Sequence, residues 1–385
     1  MKKIFFVISC FFIVLCSVNA EENNKLSPNA KSAIIIEAET GEVLYEYNAN
    51  EELPPASMTK MMSLLLIMEA IDKEVIKYED IVTVSANASG MGGSQILLET
   101  GEKMSVDDLL KGIAVASGND AVVALAEKIG GTEENFVKMM NDRAQELGLK
   151  NTVFKNCHGL YEEGHYSSAH DMALIAKELV KHKKILDYSS IYETYLRKDT
   201  DKQIWLVNTN KLVRFKPGVD GLKTGYTKES GYCLTATMKQ GTMRVIAVTM
   251  GEPDSTTRND EVSGMLDYAF AQYAMDTILT KSDVVDTIRL DSSNIEQVDV
   301  VPTENINILY KRTEGKKDIS YELEYNKINS KIKKGEVIGK VIIKDKDKVI
   351  KKIDVTVNKD VEKASFLDLF SKYLKNVIIG NINFN

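Results

Sequence analysis

The sequence predicts an α+β fold in more than one part. Three observations carry this reading. β-rich runs stand at both ends of the first 280 positions with helical patterns between them, the composition changes after Lys281 to short strands split by charged turns, and an amphipathic run closes the chain. At 385 residues there is room for two or three domains, at about 150 residues each. An apolar content of 44% supplies a substantial core, and a net charge of −7 gives no reason to expect a nucleic-acid partner.

The elements follow in order. Lys2 and Lys3 precede an almost unbroken apolar run from Ile4 to Leu15, and Val18-Asn19-Ala20 offers a cleavage site. A secretory signal peptide is expected over 1–20, its apolar core too short for a comfortable membrane span; an uncleaved anchor is the alternative. Cleavage removes two lysines and no acid, taking the charge from −7 to −9. It also removes Cys10 and Cys16, and the remaining Cys157 and Cys233 are too few for a disulfide scaffold. Two buried thiols or one bridge both stay open. Cys157-His158 would form a thiol–imidazole pair only if the two side chains met, which sequence neighbours need not do.

Positions 33–37 and 42–47 read as a hairpin around Ala38-Glu39-Thr40-Gly41. After Pro54-Pro55, a helix from about Ser57 is apolar nearly all round through Leu64-Leu65-Leu66-Ile67-Met68, so it belongs at a domain centre. Helices follow to about 180, with starts marked by Ser105-x-x-Asp108, Thr132 before Glu133-Glu134, and Ser168-x-x-Asp171, and a stop at Gly148. Strands return from Lys223, with 232–238 and 243–250 flanking Gln240-Gly241, and a last amphipathic helix is expected over about 258–278. These elements make one unit over 25–280. A β domain is expected over 281–360, its strands separated by solvated turns such as Lys344-Asp345-Lys346-Asp347-Lys348. In the terminal segment 361–385, Phe366, Leu367, Phe370, Tyr373, Leu374, Val377 and Ile378 recur at steps of three and four, while Lys363, Asp368, Lys372 and Lys375 take other positions. Such a stripe suits a membrane interface, with lysines toward anionic head groups. Packing on its own domain or on a second copy is the alternative.

Three motifs carry chemistry. In Ser57-Met58-Thr59-Lys60 the serine and lysine stand three apart at a helix start, so their side chains share a face. A serine hydroxyl needs a base to take its proton, and burial together with a nearby cation, Lys223 being the candidate, would free Lys60 to act as one. The helix start favours negative charge developing near Ser57. Ser117-Gly118-Asn119 falls between two helices, where a hydroxyl can pass a proton to a leaving amine and an amide can hold Lys60 or substrate backbone. Lys223-Thr224-Gly225 offers a cation and a hydroxyl to a carboxylate, with a glycine that lets a backbone approach closely. Each motif alone is common, and the ordered set of three is the signal.

Together these motifs resemble the penicilloyl-serine transferase superfamily. The match is nearest to the low-molecular-mass penicillin-binding proteins, the serine-type D-alanyl-D-alanine carboxypeptidases. Pro55-Ala56-Ser57-Met58-Thr59-Lys60, Ala116-Ser117-Gly118-Asn119-Asp120-Ala121, His158-Gly159-Leu160 and Asp220-Gly221-Leu222-Lys223-Thr224-Gly225 are similar to that family. The resemblance implies a β-lactamase/transpeptidase-like catalytic domain, an antiparallel sheet with a helical subdomain, followed by the small all-β domain and the amphipathic helix. It implies Ser57 as acyl-ester nucleophile, Lys60 as general base, Ser117 as proton shuttle and Asn119 as its orienting partner. Lys223, Thr224, Gly225 and Arg258 would bind the substrate's terminal carboxylate region, and the N–H groups of Ser57 and Tyr226 would form the oxyanion hole. Tyr226 stands where some relatives carry histidine. Gly93-Ser94-Gln95 is either a loop at the cleft rim or an ordinary turn.

The substrate implied is the peptidoglycan pentapeptide stem, with β-lactam antibiotics as covalent inhibitors and no metal or cofactor. The expected location is outside the cytoplasmic membrane, peripherally attached through the terminal helix. A serine β-lactamase shares the motifs but would lack the β domain and tail and often show an E-x-x-L-N setting, which is missing here. A D,D-endopeptidase, or a slow peptidoglycan-binding scaffold, are the further alternatives. The four histidines form no H-E-x-x-H, and no G-x-S-x-G surrounds Ser57.

Overall fold

A computed structural model describes residues 25–290, 293–367, 369–371 and 374. The expected signal peptide lies outside the described residues, as does most of the terminal helix. The central sheet has five antiparallel strands, ordered Val43–Tyr47, Ser32–Glu37, Met243–Glu252, Gly231–Gln240 and Val219–Thr227. Every residue of Ser32–Glu37 is buried, because the sheet is covered on both faces. Ile34 and Ile36 pack into a core shared with the helices, while Ala33 and Ile35 join a second core against Ser255–Gln272. Alternate side chains of one strand thus feed two cores, and the unit is a three-layer sandwich.

The helical insert starts where its capping residues place it. Ser105, Thr132 and Ser168 accept from the backbone N–H of Asp108, Asn135 and Asp171, opening Val106–Ala116, Glu133–Glu146 and Ala169–Leu179. The helix Lys60–Asp72 is buried along ten of its thirteen positions and forms the centre of the larger core.

Two elements differ from expectation. The helix expected over 258–278 starts earlier and ends sooner, as Ser255–Gln272, because Asp254 caps it by accepting from Thr256 and Thr257. The residues beyond form the strand Tyr273–Leu279, where Tyr273 and Met275 are buried on one face and the partner strand is Ile306–Lys311. Period two wins there over the helical reading. The sequence reading also passed over the hairpin Glu193–Leu196 with Ile204–Val207.

The C-terminal part has a second antiparallel five-stranded sheet, ordered Asp286–Arg289, Gln297–Pro302, Lys348–Val357, Gly339–Asp345 and Ile319–Tyr325. It meets the first hairpin through Asn307 Nδ2, which donates to Glu39 Oε2 at 2.7 Å.

Candidate active site

Ser57 sits in a 3-10 turn, Ala56–Thr59, that runs directly into the helix opened by Lys60. Ala56 is held at φ 48°, and Ser117, across the cleft, at φ 62°. Left-handed backbone at non-glycine positions costs about 1–3 kcal/mol each and collects at functional sites. Gly159 holds the turn from below, since a Cβ there would run into the Ala56 carbonyl. Gly225 does so from the sheet side, where a Cβ would stand 2.8 Å from the Pro55 carbonyl and 3.3 Å from Met58 N. The glycine of Lys223-Thr224-Gly225 therefore lets the strand lie against the serine's own turn.

Lys60 is fully buried, and its Nζ lies 3.1 Å from Ser57 Oγ, 2.6 Å from Asn119 Oδ1 and 2.6 Å from the His158 carbonyl. Three acceptors match the three protons of an ammonium. On losing one proton the amine keeps its donations to Asn119 and His158 and turns its lone pair to Ser57, whose hydroxyl then donates. Burial brings the Lys60 pKa down to about 7, against opposing influences from Cys157 and Asp120. Lys223 is also buried and donates to its neighbour's carbonyl at 3.0 Å. Its pKa falls well below the ordinary lysine value, first through burial and then through repulsion by Lys60 and Arg258. The repulsion between these two buried cations is mutual, so it disfavours charging both of them at once.

Ser117 caps the C-terminus of Val106–Ala116, and Asn119 opens Asn119–Gly130. The Ser117 hydroxyl is buried and has no hydrogen-bond partner among the described residues. Asn119 Nδ2 donates to the Gly92 carbonyl at 2.7 Å and its N–H to the Ser94 carbonyl at 2.7 Å. The segment around Gly93-Ser94-Gln95 therefore borders the site. Asp120, whose role the sequence reading passed over, is buried and accepts from the N–H groups of Ile96, Leu98 and Ala121. One carboxylate thereby locks the helix start to the bordering segment. The six-residue motif that contains it was the available signal.

The third motif lies on Val219–Thr227, an edge strand of the sheet. Its start is fixed by Arg244, which reaches both oxygens of Asp220 at 2.8 Å. Thr224 Oγ1 donates to Thr209 Oγ1 at 2.7 Å, a partner that no sequence feature marked. Tyr226 is largely exposed, with its ring 4.3 Å from that of Tyr232. Arg258 is buried, and Asn259 Oδ1 accepts from its Nε and Nη2. Glu252, opposite Tyr232 on the next strand, is buried with neither oxygen receiving a donor among the described residues. Burial and the Glu261 carboxyl raise its pKa to about 8, against the opposing influence of Arg258, which weakens its hold on the Arg258 charge.

His158 accepts the Leu160 N–H on Nδ1, and its Nε2 stands 3.5 Å from Glu133 Oε1. Burial takes its pKa down to about 3. Cys157 hydrogen-bonds Glu133, not His158, and burial pushes its thiol pKa up. Both Cys157 and Cys233 are free and buried, so the thiol–imidazole arrangement is not built.

The family model described as D-alanyl-D-alanine carboxypeptidase, peptidase S11, matches residues 18–254, and that of the penicillin-binding protein 5 C-terminal domain matches 273–363. D-alanyl-D-alanine carboxypeptidase DacF of Bacillus subtilis is 49% identical over 355 residues, spanning 92% of this chain and 91% of its own. Penicillin binding protein 5 of Haemophilus influenzae superposes with a TM-score of 0.70 at 32% identity, covering 87% of this chain and 98% of that one. Penicillin-Binding Protein D2 of Listeria monocytogenes, solved in a cefotaxime-bound form, gives 0.57 at 30% identity over 63% of this chain and 97% of its own.

Proposed function

This chain belongs to the S11 family of D-alanyl-D-alanine carboxypeptidases, and we propose that it removes the terminal D-alanine from peptidoglycan pentapeptide stems through an acyl-enzyme on Ser57. The observation that carries this reading is the buried Lys60 Nζ at 3.1 Å from Ser57 Oγ, with a pKa brought to about 7. A lysine so placed is a base at neutral pH.

The steps follow from the placements. Neutral Lys60 takes the Ser57 proton as Oγ attacks the carbonyl carbon of the penultimate D-alanine. Negative charge on the carbonyl oxygen is met by the N–H groups of Ser57 and Tyr226, each such donor contributing about 2.7–4 kcal/mol in comparable sites. The proton passes from Lys60 through the Ser117 hydroxyl to the amine of the departing D-alanine as the C–N bond breaks. Water gives a proton to Lys60 as it attacks the ester carbon, and Lys60 returns that proton to Ser57 Oγ as the ester C–O bond breaks. Lys223, Thr224 and Arg258 hold the substrate's terminal carboxylate, and the raised pKa of Glu252 limits its competition for Arg258. β-Lactams would acylate the same oxygen.

The positive start, apolar run and cleavage site within residues 1–20 support export across the cytoplasmic membrane. Phe366, Leu367, Phe370 and Leu374 are exposed side chains of large apolar area, which supports an interfacial helix resting on the membrane. Among the described residues no helix is long and apolar enough to cross one.

The test is intact mass after brief benzylpenicillin exposure, together with D-alanine release from a pentapeptide. A single adduct and steady release on the native protein, both abolished by Ser57→Ala, are expected. Adduct-free protein that releases no D-alanine overturns the reading.

A further inference from the structure

Arg197 follows the strand Glu193–Leu196 and belongs to none of the three motifs, yet its guanidinium is bound to the segment that borders the site. Nε and Nη2 donate to the two oxygens of Glu102 at 2.5 and 3.0 Å. Nη1 donates to the Ile96 carbonyl at 3.0 Å and Nη2 to the Leu97 carbonyl at 3.1 Å. Asp120 grips the same stretch from the other side by accepting from the N–H groups of Ile96 and Leu98. A cation thus holds its carbonyls and an anion its amides. The backbone is left-handed at Leu97, φ 57°, and at Arg197, φ 51°. Such strain costs about 1–3 kcal/mol per residue, and it is of the kind found at Ala56 and Ser117.

The stretch leads to Lys60. Two residues before Ile96, the Ser94 carbonyl accepts the Asn119 N–H, and the Gly92 carbonyl accepts from Asn119 Nδ2, both at 2.7 Å. A Cβ on Gly93 would stand 2.8 Å from that nitrogen, so the backbone lies directly against the amide. With Nδ2 engaged there, Oδ1 faces Lys60 Nζ at 2.6 Å, and Nζ faces Ser57 Oγ at 3.1 Å.

We infer that Arg197 is a positioning residue for acylation: through the backbone of 92–98 it fixes the Asn119 amide, and with it the Lys60 amine that faces Ser57. This rests on the acyl-enzyme reading above. The planar fork of an arginine can meet a carboxylate and two carbonyls together, whereas the compact ammonium of a lysine cannot. A second ion pair, Lys202 Nζ to Glu99 at 2.6 Å, joins the same two regions with side chains 54% and 63% exposed. It reaches no carbonyl of the stretch among the described residues, so it serves as a control.

Slack in the stretch would release the Asn119 amide and leave the Lys60 ammonium two acceptors instead of three. The charged form loses more than the neutral amine, so the base would titrate lower. Asp120, Cys157, His158 and Lys223 are the other ionisable groups that face Lys60. Among the described residues none of them hydrogen-bonds it through a side chain, so the loss at Asn119 sets the direction.

The test is the rate of benzylpenicillin acylation against pH in full-length Arg197→Met, Arg197→Lys and Lys202→Ala proteins, with melting temperatures. In Arg197→Met the limiting rate should fall about three- to tenfold, with the midpoint of the profile below the native one. Arg197→Lys should recover melting temperature through Glu102 while its rate and midpoint stay with the methionine variant. Lys202→Ala should keep the native profile. A native limiting rate in Arg197→Met overturns the proposal, as does a midpoint moved upward, the mark of water reaching a loosened Lys60. Native acylation in Arg197→Lys also overturns it, since charge pairing alone would then suffice, and this variant decides if Arg197→Met does not fold. If the native protein itself takes no adduct, it is the Ser57 reading that fails.

Discussion

Lys60, Lys223 and Arg258 are all but fully buried in the catalytic unit, whereas the β domain is built around Val298, Val300, Val341, Ile343, Val355 and Val357. The β domain buries little that is polar beyond Ser293, Asn307 and Thr356. Both parts use an antiparallel five-stranded sheet, so sheet architecture does not explain the contrast. Burying a cation without a full counter-charge costs several kcal/mol and lowers its pKa. A structural domain has no use for that cost, and the β domain avoids it. The catalytic unit accepts it at the positions we propose for the base and the carboxylate cradle.

The largest test of this contrast is Lys60→Met. Acylation and D-alanine release should fall by at least about 10³-fold. Stability should move the other way with pH. An unfolded lysine titrates near 10.5 and the folded one near 7, so the native protein gains stability as pH rises between these values. The variant has no such gain. Its melting temperature relative to native should therefore be highest below pH 7 and lose that advantage toward pH 10.5, which scanning calorimetry would measure. An advantage independent of pH would mean that Lys60 is not held neutral by burial.

Glu252→Gln should have a smaller effect, confined to alkaline solution. As pH passes about 8, Glu252 ionises beside Arg258 and competes with the substrate carboxylate. KM should rise severalfold there in native protein and stay flat in the variant, with kcat little changed. Steady-state kinetics at pH 7 and 9 would read this, and parallel profiles would break the assignment.

The smallest effect belongs to the β domain. Ile343→Val should cost about 0.5–1.5 kcal/mol in urea unfolding of that domain, with kcat/KM within error of native. A catalytic loss there would show that the two parts are energetically coupled through contacts such as Asn307–Glu39.

Much of this organisation was legible because short-range physics set it. Ser105, Thr132 and Ser168 cap the helices their spacing foretold. Ser57, Lys60, Ser117, Asn119, Lys223 and Thr224 were named from motifs, and the fold brings Lys60 against Ser57 and Asn119. What stayed hidden depends on contacts across the chain. The role of Asp120 appears only when the segment from Ile96 to Leu98 folds onto it, and Thr209 matters only because Thr224 reaches it. The strand Tyr273–Leu279 reads as helix in the sequence because seven residues after a long amphipathic run carry too little period-two signal, and its pairing partner is remote.

The most direct test of the central claim is the second-order rate of Ser57 acylation by benzylpenicillin, followed by intact mass from pH 5 to 8. If the buried Lys60 is the base, the rate should climb about tenfold per pH unit at the acid end and level near pH 7. A rate already at its plateau at pH 5 would contradict it.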